Sequence, residues 1–331
     1  MQIIKLENER IVQQANYIKE EIKKGKIIVS PTDTVYGLIC DGLNDKSKEE
    51  IYFLKRRTKE KPLIGFISDI EKAKKFAEIS PSFVSFINSK WPGATTFILK
   101  AKINIPYLVS PLDDIGLRVP GFPFLLEILK DIEILASTSA NISFEKSPSI
   151  IDEIPKDIKE KVDIVIDGGK LRGKESTIWN ISGNNPKLVR GKILFVCEGN
   201  LCRSPIAEYI LKEFLKGKDI KIEVNSAGVG FSSFPSSNYK NTTVVMKEIG
   251  IKMDGFYPKH IDFEMVNDAD LIFVMEEKHA KRITLYHPEI EEKIIVLNVK
   301  DPIGKDITFF RKIRDEIKEK IEKLVLGRIY F

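Results

Sequence analysis

Cysteine, histidine and long apolar runs are all scarce in this sequence of 331 residues. Three cysteines are too few for a disulfide framework, which favours a reducing, cytoplasmic location. No apolar stretch approaches the roughly 18 residues that a membrane-spanning helix needs, so we expect no membrane partner. The first residues include Lys5 and Glu7 and no long apolar core, which argues against an export signal. A net charge of +5 is too small to predict nucleic-acid binding by itself.

Apolar strand patterns alternate with amphipathic helix patterns along the chain, which is typical of an α/β protein. Strands are predicted at residues 27–29, 96–99, 134–136, 162–166, 193–196, 222–224, 271–275 and 294–297. The clearest helix patterns lie at residues 11–24, 204–215 and 308–326. The chain length favours two domains, and a turn at residues 183–186 places their boundary between residues 191 and 192.

The most specific motif occupies residues 196–205, between a predicted strand and a predicted helix. Backbone N–H groups and the helix dipole converge at such a junction and form an anion site. Cys197 at its start would be a thiolate near neutral pH and therefore a nucleophile toward phosphorus. Arg203 could bind two phosphoryl oxygens, and Ser204 could donate a hydrogen bond to the sulfur. Asn200 tolerates the positive φ that such a tight loop requires.

These residues resemble the low-molecular-weight protein tyrosine phosphatase family, and the similarity extends over residues 192–331. The resemblance implies a four-stranded parallel sheet with helices on both faces, and hydrolysis of phosphoproteins through a cysteinyl-phosphate intermediate. It implies that Asp301 protonates the leaving oxygen and then activates water. Leu201 resembles the tyrosine-specific members, whereas Ile303 and Gly304 resemble the protein-arginine phosphatase branch. We expect Leu201 to border the leaving group and favour phosphotyrosine, with phosphoarginine as the alternative.

Polar clusters follow the predicted strands of the N-terminal half, where α/β sheets place their ligands. Hydroxyl, basic and amide side chains make up these clusters, which include Thr32, Tyr36, Lys55, Arg57, Lys61, Ser139 and Asn141. Capped turns and a solvated basic face are the plainer interpretations. No Walker or Gly-x-Gly-x-x-Gly motif is present, so a nucleotide site here would be of another kind.

Taken in order, the strings at residues 31–38, 91–96, 117–120 and 139–141 resemble the YrdC-like family of threonylcarbamoyl-AMP synthases. The resemblance implies a twisted α/β sheet domain that joins L-threonine, bicarbonate and ATP into threonylcarbamoyl-AMP and pyrophosphate. A partner protein would then transfer the threonylcarbamoyl group to tRNA, next to the anticodon.

The same resemblance implies the site residues of this domain. Thr32 and Tyr36 would line the threonine pocket, and Mg²⁺ would accompany ATP, held mostly by phosphates and water. Phosphate, carboxylate and nucleotide groups would be bound by Lys55, Arg57, Lys61, Ser139, Asn141, Ser176 and Arg190.

The leading hypothesis is a bifunctional cytoplasmic enzyme with domains at residues 1–191 and 192–331. One alternative is that the N-terminal domain only binds RNA, with salt-sensitive affinity and no ATP turnover. A zinc site at Cys197 and Cys202 is a weak alternative, because no further His or Cys follows at ligand spacing. We therefore predict no resident metal.

Overall fold

The structure is a computed structural model, and it describes residues 2–58, 61–218, 220–230 and 237–330. The chain divides into two units, Met1–Pro186 and Lys187–Phe331. The second unit thus begins five residues before the position predicted from the sequence.

The first unit is built on a mixed sheet of nine described strands. They run in the sheet order β1-β8-β2-β3-β7-β4-β6-β5-β9. Their bounds are β1 Gln2–Lys5, β2 Ile28–Ser30, β3 Gly37–Asp41, β4 Ile64–Phe66, β5 Thr95–Lys100, β6 Asp114–Arg118, β7 Leu135–Ser139, β8 Ile164–Asp167 and β9 Thr177–Asn180. The antiparallel pairing of β3 with both β2 and β7 brings the polar ends of these strands together, since Gly37 pairs with Ser30 and with Ser139.

Helices cover the sheet of the first unit. They are α1 Ile11–Lys23, α2 Asp45–Lys55, α3 Ile70–Phe76, α4 Val84–Asn88, α5 Pro123–Leu129 and α6 Lys156–Lys159. Helix α1 presents Ile18 and Ile22 to the same core cluster as Phe124 and Ile128 of α5, so one apolar stripe of each helix is buried. Helix α2 begins at an Asn44 cap and ends at Lys55, which places that lysine at the ends of β3 and β7.

The described residues of the second unit form four strands: β10 Lys187–Cys197, β11 Lys221–Gly228, β12 Leu271–Val274 and β13 Ile294–Val296. All of the pairings in the order β11-β10-β12-β13 are parallel, which confirms the predicted four-stranded sheet. The described helices are α7 Arg203–Leu215, α8 Ser237–Glu248, α9 Phe263–Asp268, α10 Glu277–Thr284 and α11 Ile307–Lys320.

Alternation along these strands produces two buried faces. Leu194 and Val196 of β10 pack in one cluster with Val266 of α9 and Ile283 of α10. Phe195 and Phe273 point to the other face, where their rings stack with centroids 5.5 Å apart, and α7 contacts β10. Within the described residues, no helix is both long enough and apolar enough to cross a membrane.

Candidate active sites

The loop between β10 and α7 folds around the Cys197 thiol as the sequence motif predicts. Cys197 ends β10, and its Sγ lies 3.0 Å from Ser204 Oγ in the first turn of α7. Asn200 has a φ of 51°, and its Nδ2 donates hydrogen bonds to Ser204 Oγ and Ser226 Oγ at 2.9 and 2.8 Å. Because Asn200 donates to Ser204, the hydroxyl hydrogen of Ser204 can be donated, and its two acceptors are the sulfur at 3.0 Å and the Ala227 carbonyl at 3.3 Å.

Strand β11 supports this loop from behind at Gly228. A Cβ atom at Gly228 would lie 2.8 Å from the Glu198 carbonyl oxygen and 2.9 Å from the Asn200 nitrogen. Both atoms belong to the backbone and cannot move aside, so only glycine allows β11 to approach so closely. This end of β11 therefore shapes the loop, because Gly228 allows the close approach and Ser226 accepts a hydrogen bond from Asn200.

Arg203 lies at the N-terminus of α7 and is only 1% exposed. Its guanidinium is paired with the carboxylates of Glu276 and Asp301, and it donates a 3.1 Å hydrogen bond to the Val299 carbonyl. The structure thus brings the predicted phosphate-binding arginine and the predicted general acid together. A phosphate bound by Arg203 would lie within reach of Asp301.

Glu276 and His279 complete this site and were missed from the sequence. Glu276 caps α10, where its side chain accepts the His279 backbone N–H, and His279 Nδ1 accepts the Glu276 backbone N–H at 3.1 Å. Burial opposes ionisation of Glu276, but hydrogen bonds from Arg203 and Lys278 outweigh it and lower the pKa of Glu276. In the sequence, this reciprocal cap was signalled only by a glutamate followed three residues later by a histidine.

His279 is fully buried, and burial followed by the charge of Arg203 lowers its pKa to about 4. Since Nδ1 accepts a hydrogen bond, Nε2 carries the proton of the neutral ring. That atom has no hydrogen-bond partner among the described residues, although carboxylate oxygens of Glu198 and Glu276 lie 3.6 and 3.8 Å away.

The position of Leu201 corrects one expectation. Its side chain is 6% exposed and packs in a cluster with Val245 of α8 and Phe310 of α11. The loop turns this side chain toward the helices, so it does not form an open wall for a leaving group. The neighbouring Cys202 belongs to the same cluster, and burial raises the pKa of Cys202 to about 12.

Lys55 is the centre of the cluster in the first unit and is 1% exposed. Its ammonium donates to the Ser139 carbonyl, to the Asn141 carbonyl at 2.6 Å and to Asn141 Oδ1 at 3.0 Å. Ser139 Oγ donates to Asn141 Oδ1 at 2.6 Å. Lys55 and the predicted residues Ser139 and Asn141, more than 80 positions apart in sequence, therefore form one hydrogen-bonded cluster.

The other predicted nucleotide ligands have their own contacts or positions in the fold. Arg57 donates to the Lys61 and Pro62 carbonyls at 2.8 and 2.9 Å, and burial lowers the pKa of Arg57. Ser176 is buried with its Oγ 3.1 Å from Thr96 Oγ1. Arg190 lies on β10, in the second unit.

Thr32 and Tyr36 are buried, and the fold uses their hydroxyls internally. Thr32 Oγ1 donates to the Val35 carbonyl at 2.7 Å. The Tyr36 hydroxyl donates to the Gly169 carbonyl at 2.8 Å and accepts the Gly168 N–H at 2.9 Å. Burial raises the pKa of Tyr36 to about 12. Their assignment as threonine ligands stays a prediction.

Arg118 is a further buried residue of the first unit, and the sequence singled it out only as part of the string at residues 117–120. It is 3% exposed, pairs with Asp33, and donates to Thr34 Oγ1 at 3.2 Å and to the Gly93 carbonyl at 2.9 Å. Burial lowers the pKa of Arg118 although Asp33 opposes the shift. This arginine joins three of the four strings that the sequence singled out, which explains why they occur together.

The first unit holds a buried lysine beside amide and hydroxyl groups, and the second holds a cysteine and an arginine around one loop. Each arrangement is typical of an enzyme active site that binds an anion. Residues 20–191 match the Sua5/YciO/YrdC family model, which carries the description "Telomere recombination". Residues 192–329 match the family of low molecular weight phosphotyrosine protein phosphatases. The first match covers more than half of the chain, and the chain therefore belongs to the Sua5/YciO/YrdC family, with a phosphatase domain after it. Both resemblances given from the sequence are confirmed.

Curated relatives and a solved structure agree with this assignment. The putative threonylcarbamoyl-AMP synthase of Methanocaldococcus jannaschii is 38% identical over 200 residues, which are 60% of this chain and 92% of that protein. The threonylcarbamoyl-AMP synthase of Pyrococcus abyssi is 32% identical over 173 residues, 51% of each chain. A crystal structure of P. abyssi Sua5 with L-threonine shares the fold at 22% identity and a TM-score of 0.51, covering 96% of this chain and 98% of its own. The alternative of a non-catalytic RNA-binding module joined to an arginine phosphatase is not favoured.

Proposed function

We propose that the first unit synthesises threonylcarbamoyl-AMP and pyrophosphate from L-threonine, bicarbonate and ATP. The observation that carries this proposal is the Lys55, Ser139 and Asn141 cluster, in a chain whose relatives are named as threonylcarbamoyl-AMP synthases. The buried ammonium of Lys55 stabilises the phosphates and the charge that develops as pyrophosphate leaves. Arg57 and Lys61 contribute further positive charge, and Ser139, Asn141 and Ser176 orient the nucleotide.

ATP is a substrate in this proposal, and Mg²⁺ enters with it. Among the described residues, no three His, Cys, Asp or Glu side chains are grouped closely enough to hold a metal ion. Magnesium is readily bound by phosphates and water, so the cation would be coordinated mainly by ATP. The product would pass to a transferase partner that modifies tRNA next to the anticodon.

We further propose that the second unit hydrolyses phosphoproteins, with phosphotyrosine as the substrate, because residues 192–329 match the family of low molecular weight phosphotyrosine protein phosphatases. Cys197 Sγ attacks phosphorus as the bond to the tyrosine oxygen breaks, while Asp301 gives a proton to that oxygen. Arg203 holds the phosphoryl oxygens, and Ser204 stabilises the sulfur. Asp301 then takes a proton from water, which attacks phosphorus as the S–P bond breaks, so that the Cys197 thiolate and inorganic phosphate are released.

Pyrophosphate release by the full chain tests the first activity. It should require ATP, L-threonine and bicarbonate together, and threonine-independent release would contradict the proposal. Hydrolysis of phosphotyrosine and phosphoarginine peptides by the same preparation tests the second activity. A preference for phosphoarginine would overturn the substrate assignment.

A further inference from the structure

Phe144 has a backbone conformation that its own packing does not explain. Its φ is 75°, in the left-handed region where a bulky side chain is strained. Tyr107 also has a positive φ, but its ring packs against Tyr52 with centroids 5.2 Å apart. The Phe144 ring is 81% exposed, so little burial offsets the strain. Strain that stability does not account for often marks a functional site.

Phe144 adopts this φ in a turn in which the Glu145 N–H donates to the Ile142 carbonyl at 3.1 Å, and the polar cluster of the first unit holds that turn. Ser143 donates both its N–H and its hydroxyl to the Lys55 carbonyl, at 3.1 and 3.0 Å. On the other side of Phe144, the Glu145 carbonyl accepts a hydrogen bond from Asn141 Nδ2. The ring is therefore held at the edge of the Lys55 and Asn141 cluster by the side chains and backbone of that cluster.

Lys61 lies over the exposed ring. Its ammonium is 4.7 Å from the ring centroid, within the range of a cation–π contact. An aromatic ring with a cation over one face suits a nucleotide, because a base can stack on the opposite face while a phosphate meets the ammonium.

We propose that Phe144 and Lys61 form a shelf on which the base of ATP stacks. The proposal rests on the proposed function of the first unit and assigns its nucleobase contact. It explains why an aromatic side chain occupies a position whose backbone favours glycine.

The test compares ATP with inorganic tripolyphosphate, which has the phosphates but no base. Calorimetric titration of the full-length Phe144→Gly variant should show ATP binding weakened on the order of 5- to 100-fold, as expected for one lost stacking contact. Tripolyphosphate affinity should stay unchanged. Phe144→Trp should keep ATP affinity, and Phe144→Gly should not lower the melting temperature, because glycine relieves the strained φ.

Phe53 offers a matched control. Its ring is 72% exposed, and the Lys161 ammonium lies 5.3 Å from its centroid, but it sits on helix α2 with no positive φ. Phe53→Ala should leave the affinity for both ligands unchanged.

Unchanged ATP affinity in Phe144→Gly would overturn the inference, as would equal losses for ATP and tripolyphosphate. Loss of binding to an oligoadenylate RNA with ATP binding intact would also overturn it and point to an RNA contact. If the wild-type chain makes threonylcarbamoyl-AMP and Phe144→Gly binds ATP normally, only this inference fails. If the wild-type chain makes none, the proposed function fails with it.

Discussion

Lys55 and Arg203 are both about 1% exposed and both lie at the centre of a candidate anion site, but their hydrogen-bond partners differ. Lys55 donates to neutral oxygens of Ser139 and Asn141. Arg203 pairs with the carboxylates of Glu276 and Asp301. The contacts at Lys55 add no negative charge, whereas those at Arg203 compensate its charge directly.

This difference bears on how each site takes up an anion. Desolvating an ion is costly, and a nearby opposite charge offsets the cost. At Lys55, all three N–H donors of the ammonium are used by neutral oxygens, so a phosphate meets a charge that these contacts do not compensate and must displace one of those oxygens to bind it directly. At Arg203, a phosphate must compete with two carboxylates for the same guanidinium, so phosphate binding in the second unit should be sensitive to those acids.

The largest effect is expected at the nucleophile. Cys197→Ser should lower hydrolysis of p-nitrophenyl phosphate by at least about 10³-fold, because serine is a far weaker nucleophile at neutral pH. Phosphate binding and threonylcarbamoyl-AMP synthesis should persist. Cys202→Ser is the control, and it should retain most of the phosphatase activity. Comparable losses in both variants would contradict the assignment of Cys197.

Removing the buried cation of the first unit should have the next largest effect. Lys55→Ala should reduce threonine-dependent pyrophosphate release by roughly 10²-fold or more, since one oxyanion-stabilising group is typically worth that much. It also leaves buried acceptors unpaired, so unfolding free energy should fall by about 1–3 kcal/mol.

Lys48 provides the control for stability in that experiment. It is fully buried, donates to the Pro106 carbonyl at 2.8 Å and pairs with Asp45. Lys48→Ala should destabilise the fold to a similar extent while the enzyme that stays folded keeps its rate. Equal rate losses in the two variants would show that Lys55 acts only through stability.

Glu276 tests whether the carboxylates compete with phosphate. Glu276→Gln keeps the shape of the side chain but removes its charge, so inorganic phosphate should inhibit the phosphatase about 2- to 10-fold more strongly. Glu277→Gln makes the same change in net charge at the neighbouring exposed position and should have little effect. Weaker inhibition in Glu276→Gln would mean that Glu276 positions Arg203 more than it competes.

The sequence predicted those parts of the fold and sites that have local signatures. Continuous apolar runs identified the buried strands β2 and β10, and the loop between β10 and α7 was recognised from adjacent residues. Strands β3 and β6 were missed because they overlap polar strings and depend on distant partners for their pairing.

Side-chain pairings between distant segments could not be predicted from the sequence either. The contact of Arg118 with Asp33 spans 85 residues, and that of Arg203 with Glu276 spans 73. No local pattern encodes such contacts. The final helix was predicted to residue 326, but α11 ends at Lys320 and a wider π-helical turn, Ile321–Val325, follows it.

A smaller effect is expected from His279 on stability at acidic pH. Its pKa of about 4 in the fold lies below the unfolded value, about 6.5, so unfolding takes up a proton between these values. The contribution of His279 is therefore complete above about pH 6.5 and is lost as the pH falls toward 4. His279→Gln should show a shallower fall in melting temperature over that range, by a few degrees. Parallel curves would contradict the shift.

The smallest effect on catalysis is expected at Leu201. Replacing a side chain that packs against Val245 and Phe310 by threonine removes apolar contacts and buries a hydroxyl, so stability should fall by about 1–3 kcal/mol. The ratio of kcat/KM for phosphotyrosine over phosphoarginine peptides should change by less than about threefold, because the side chain faces the helices. An open wall would instead give a shift of roughly 10- to 100-fold, the size expected for a polar contact to the leaving group. Steady-state kinetics on both peptides, with thermal unfolding of the same preparation, separates the two outcomes. A shift above tenfold toward phosphoarginine would show that Leu201 reaches the leaving group after all.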